Sequence, residues 1–305
     1  MKTVLSSWKL ILITIVLCAL CGNAIASPAS LNPGVENCDL LSSSLSIAAR
    51  KYAKTGRAPT GFNPVHSRAW YATAMGLTPV LKNIIKKRPA VVDNPQLLAI
   101  AVSIKDSDPL RVFLDHGANP NTYVDIDVRN GPVTVLAAHG PLIMIATSCN
   151  RPVNLLYLLK AGANVYAYTT YNTYKARVPA KMNAMAIAAI GTSLRGPFTQ
   201  DIMLLLAAGY DPRCPVAAKK VTAMSIIEHS WNNLKRSGYS VAASRAALKT
   251  AQGNKRIWIL RSIQYYEKLK ETHKLLKGIL SVVAARSSTP PHCRKNSRPD
   301  PTNYP

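Results

Sequence analysis

Apolar positions fall into short runs at helical spacing, and the runs come in pairs. The first run of a pair mixes small and large apolar residues: Leu97 to Val102, Leu142 to Ala146, Ala184 to Ala189, with a fourth opening at Ala223 to Ile227. A helix apolar on most of its circumference must be enclosed by neighbours on several sides. The second run ends on a glycine each time: Val112 to Gly117, Tyr157 to Gly162, Leu204 to Gly209. Glycine most readily takes the left-handed backbone in which helices terminate. The pattern predicts repeated helical hairpins with a buried inner helix and a partly exposed outer one.

The intervals between the closing glycines are 45 and 47 residues. Two of the connections are long. Tyr123 to His139 contains Asn130-Gly131, a tight-turn signal between strands. Tyr166 to Lys181 alternates tyrosines with small polar residues, a pattern suited to a β-hairpin finger. Asp125, Asp127 and Gly131 have a superficial calcium-loop spacing. Arg129 stands where a ligand is needed and no acid closes the loop, so the hairpin is the better reading.

The closing segments Leu114-Asp115-His116-Gly117-Ala118-Asn119, Leu159-Lys160-Ala161-Gly162-Ala163-Asn164 and Leu206-Ala207-Ala208-Gly209-Tyr210-Asp211 resemble the closing motif of the ankyrin-repeat family. The opening motif is matched in outline: Pro141 fits its proline, and no unit keeps its histidine. The resemblance covers roughly residues 66–230, and the long intervals depart from the family period of about 33. It implies an all-α ankyrin-repeat solenoid of about 4–5 helix-pair units, with long β-hairpin fingers, helical caps, and a concave face of fingers and inner helices that binds protein. In such a unit the two helices run antiparallel. Cys149 then lies at a helix–helix turn and Cys214 at the opposite, finger-bearing end, about 15 Å away. Disulfide Cα atoms lie within about 7 Å, so these two cysteines are not expected to pair.

The ends read as caps. Ser67 to Met75 and Leu77 to Lys87 resemble a first helical pair, and Cys38 to Lys54 is expected to cover its open side. Ile259, Ile263, Tyr266, Leu269, Leu276 and Val283 mark an amphipathic helix, read as the outer helix of the last unit extended into a cap. The expected organisation is a signal peptide over 1–26, a helical extension over 27–65, repeats over 66–230, a helical cap over 231–285, and a tail without fixed structure over 286–305.

Composition adds the compartment and the charge. Lys2 and Lys9 flank the start, an apolar run extends from Leu10 to Cys21, and Ala24-Ile25-Ala26 follows, the layout of a secretory signal cleaved between Ala26 and Ser27. The run is short of the ~20 residues a membrane span needs. The chain is therefore expected to be periplasmic or secreted. Cys38, Cys149, Cys214 and Cys293 would remain, an even count that an oxidising compartment can pair in three ways. The net charge is +24, of which the signal carries two. Such a field favours an acidic partner: a protein surface, or an anionic lipid or envelope polymer as a second class. Export argues against a physiological nucleic-acid ligand.

Candidate chemistry points to binding. Tyr166, Tyr168, Tyr171 and Tyr174, followed by Lys175 and Arg177, offer large contact area at modest entropic cost, although the same tyrosines suit strand packing. The six histidines make no metal-binding spacing, no phosphate-binding glycine loop occurs, and the carboxylates are scattered. The expectation is a monomeric binding scaffold, with no enzymatic activity, no cofactor and no metal. A secreted effector acting on a host protein is an alternative resting on analogy alone.

Overall fold

The computed structural model describes residues 47–63, 66–130, 133–173, 180–191, 197–217, 221–286 and 293. It is mostly helical, with four strands among the described residues. The first helices are α1 (Ile47–Thr55), α2 (Arg68–Ala74) and α3 (Thr78–Lys87). A 3-10 turn, Pro89–Asp93, leads to α4 (Pro95–Ser103) and α5 (Asp108–Asp115). Strands β1 (Tyr123–Asn130) and β2 (Val133–Pro141) precede α6 (Leu142–Ser148) and α7 (Pro152–Lys160). Strands β3 (Tyr168–Thr173) and β4 (Ala180–Asn183) precede α8 (Ala184–Ile190) and α9 (Thr199–Ala207). The chain continues through α10 (Ala223–Arg236), α11 (Val241–Thr250) and α12 (Gly253–Arg286).

The helices stack in two files. In the inner file α2, α4, α6, α8 and α10 each pack on the next. In the outer file α3, α5, α7, α9 and α12 do the same. The inner helices α2, α4, α6 and α8 are short and almost wholly enclosed, with Leu98, Leu142, Met144, Met185 and Ala186 fully buried, whereas the longer α10 buries only Ala223, Met224 and Ile227. Burying a Leu or Met side chain contributes roughly 1.5–3 kcal/mol, and the outer helices add Leu81, Leu110, Phe113, Leu155, Leu158 and Ile202 to the same core. Side chains start the inner helices. Ser67, Asn94, Asn183 and Thr222 each accept a backbone N–H of the first turn, the last within a reciprocal capping box with Ser225. α3, α5 and α7 carry proline within their first two positions, where no N–H is required.

The closing glycines act as the sequence implies. Gly117, Gly162 and Gly209 have φ of 90°, 90° and 91°. At each, the following residue donates its N–H five residues back: Ala118 to Phe113, Ala163 to Leu158, Tyr210 to Leu205. A Cβ at these glycines would meet nothing within 4 Å, so the backbone conformation, and not crowding, requires glycine.

The ends depart in detail from expectation. α1 covers α2, and the Arg68 guanidinium caps it by donating to the carbonyls of Ala53 and Lys54. α10 runs through the expected boundary at residue 230, and a separate helix, α11, lies between it and α12. α12 buries Ile263, Leu269, Thr272 and Leu276 and packs on α9, α10 and α11. Cys214 pairs with Cys293, across 79 residues, so it does not pair with Cys149. Cys149, capping α6, is disulfide-bonded as well. Cys293, which falls within the tail expected to lack fixed structure, is thus bonded to Cys214.

Candidate binding surface

The two long connections build one sheet. β1 pairs with β2, β2 with β3 and β3 with β4, all antiparallel. The middle pairing joins one finger to the next: Leu136 lies opposite Thr173, and Ala138 opposite Tyr171. The sheet rises from the inner helices, β1 against α4, β2 against α6 and β4 against α8.

At the base of the fingers one bridge is built twice. Asn121 stands four residues after Gly117; its amide donates to the Gly162 carbonyl (3.3 Å) and its oxygen accepts from the Asn164 N–H (2.7 Å). Tyr166 stands four residues after Gly162; its hydroxyl donates to the Gly209 carbonyl (3.1 Å) and accepts from the Asp211 N–H (2.9 Å). Two side chains with little in common thus make the same donor–acceptor pair to the next unit. The Tyr166 ring also stacks on Tyr210, with centroids 4.9 Å apart.

Tyr168 continues the seam. Its hydroxyl donates to the Pro215 carbonyl at 2.7 Å, and burial raises its pKa. Tyr210 is buried beside it, where burial raises its phenol further; Asn183 donates to that hydroxyl at 3.1 Å while its own oxygen caps α8. Beyond Tyr210, Arg213 forms a two-pronged ion pair with Asp211, whose hydrogen bonds hold the carboxyl below its ordinary pKa.

Of the six residues expected to bind, Tyr166 and Tyr168 therefore spend their hydroxyls between units. Tyr171 lies mid-strand, paired with Ala138 on one side and Ala180 on the other. Tyr174, Lys175 and Arg177 lie outside the described residues, as do Ala26 and Ser27. Among the described residues no group of three His, Cys, Asp or Glu is placed to hold a metal. No helix among them is long and apolar enough to cross a membrane.

Sequence reading missed two features. Asn121 has the signal of its repeat position, four residues past the closing glycine as Tyr166 is. The other is a pair of polar side chains eight residues before a closing glycine. Asn154, buried in α7, donates to the carbonyls of Val102 (2.8 Å) and Ile104 (3.0 Å) at the end of α4. Asp201 occupies the same position in α9 and is fully buried.

No family model matches this chain, and no curated protein does. Among solved structures, the crystal structure of the human ASB11 ankyrin repeat domain aligns over 60% of this chain and 91% of that one, at 14% identity and a TM-score of 0.30.

Proposed function

We propose that the chain is an ankyrin-like solenoid of five helix-pair units, capped by α1 and α11, that serves as an exported protein-binding scaffold. The observation that carries this reading is the finger sheet. Two connections far longer than a repeat needs pair with each other across units, giving a continuous four-stranded surface instead of two separate loops. Long insertions in repeat arrays gather on one side, where partners bind. The fingers hold tyrosines and cations suited to an acidic protein surface. The disulfide between Cys214 and Cys293 supports an oxidising compartment, in line with a leader cleaved between Ala26 and Ser27. No catalytic role is proposed.

The internal duties of Tyr166 and Tyr168 narrow the contact set to Tyr171, Tyr174, Lys175 and Arg177. Replacing Tyr171 and Tyr174 with Ser should abolish partner capture at unchanged helical circular dichroism, while salt weakens capture only modestly. Unchanged capture in that variant removes the second finger from the account.

A further inference from the structure

We propose that the first three turns of α12 form a peripheral docking site for an anionic lipid surface. Buried residues of this helix begin at Ile263; from Gly253 to Ser262 none is buried. At 1.5 Å per residue this is a stretch of about 15 Å that buries none of its side chains fully. Its companion α11 has no buried residue either. The Arg256 guanidinium donates to the Leu248 carbonyl at 3.1 Å and ties the two together.

The stretch exposes three large apolar side chains within four residues: Ile257 at 47%, Trp258 at 39% and Leu260 at 39%. Single exposed apolar residues need no explanation, whereas a cluster on one helix turn does. Ile257 and Leu260 are three apart and share a face; Arg261, four on from Ile257, adjoins them. Around the cluster charge has one sign. From His229 to Tyr266 the chain has seven Lys and Arg and no acid, with Lys249, Lys255, Arg256 and Arg261 nearest the cluster. The next acid along, Glu267, is engaged by Arg245 at 2.7 Å.

Apolar side chains with a tryptophan among them, ringed by cations, suit the boundary between acyl chains and anionic headgroups. A protein partner fits less well. Protein hot spots fill pockets, and an exposed helix turn offers none, whereas a bilayer yields to whatever enters it. No helix among the described residues is long and apolar enough to cross the membrane.

Hydrogen exchange of the full chain tests this on vesicles of phosphatidylcholine alone and with about one-third phosphatidylglycerol. Local protection is the readout, because the apolar run Leu10 to Cys21 could tether the chain to either vesicle. Peptides covering 253–264 should gain protection only on the anionic vesicles. The variant Ile257→Ser, Trp258→Ser, Leu260→Ser, which alters no buried residue, should lose that protection. Lys255→Gln, Arg256→Gln, Arg261→Gln should raise the lipid concentration for half-protection roughly 100-fold, at about 1 kcal/mol per cation. Three results would overturn the proposal: no protection on anionic vesicles, equal protection in the Ser variant, or protection by a polyglutamate peptide and not by vesicles. The last would make the stretch a site for acidic protein.

Discussion

Asp201 sits in the first turn of α9, wholly enclosed, and neither carboxylate oxygen has a hydrogen-bond partner among the described residues. Desolvation disfavours the charged form and pushes its pKa from 3.8 up to about 7. The helix N-terminus favours an anion there by only about 0.3–1 kcal/mol, less than burial costs. Below pH 3.8 the acid is neutral in both states. From there to about pH 7 the unfolded chain is ionised while the folded chain keeps its proton, so stability falls as pH rises. A shift of about three pKa units is worth roughly 4 kcal/mol, present in full above pH 7. Asp201→Asn keeps the shape and cannot ionise. Its amide can also donate, as Asn154 does at the same repeat position. The variant should be more stable than the parent at pH 8. Its advantage should shrink by roughly 2–3 kcal/mol between pH 8 and pH 5. Urea unfolding at the two pH values measures this. An advantage that does not change with pH, or a variant less stable at pH 8, would refute the reasoning.

Other consequences follow from the turns and seams. Gly76, φ 65°, lies against Asp106, whose carboxylate accepts the Asp108 N–H at 3.0 Å; a Cβ there would push this exposed side chain aside and off that bond. Gly76→Ala should therefore cost about 2–3 kcal/mol, more than Gly117→Ala, where backbone strain of about 1–2 kcal/mol acts alone; denaturant midpoints compare the two. Tyr166→Phe removes both bonds to the next unit while leaving the ring on Tyr210, and Asn121→Ala removes their counterparts; each should cost about 1–2 kcal/mol by the same assay. Cys214→Ala opens a closure spanning 79 residues, for which chain entropy gives a loss of about 4 kcal/mol. Faster hydrogen exchange over residues 221–286, with α4 and α6 unchanged, is the expected signature.

The repeat ends were legible because glycine in left-handed backbone leaves a mark in sequence, and the inner helices because enclosure demands small and large apolar residues together. Ser67 also marked the start of its helix. Other features depend on partners far along the chain. The pairing of β2 with β3 joins Leu136 to Thr173, and the hydroxyls of Tyr166 and Tyr168 find acceptors 43 and 47 residues away. No local pattern encodes such contacts, so tyrosines that fasten units together read equally well as a contact surface. α11 escaped notice because it buries nothing and so carries no core stripe. The first turns of α12 escaped for the same reason, since Ile257 and Leu260 point outward where a core helix would turn them in. Asp201 was passed over because an acid in a first helical turn ordinarily faces water.

The finger sheet is proposed to hold a protein partner outside the cytoplasm. A photoreactive residue in place of Tyr171 or Tyr174, in the full chain in its own cells, tests it most directly. A protein adduct is expected at those positions, on a chain whose amino terminus is Ser27, with no comparable adduct from a probe at Lys82 on the outer file. Adducts from Lys82 alone, or none from the finger while the chain begins at Met1, would contradict it.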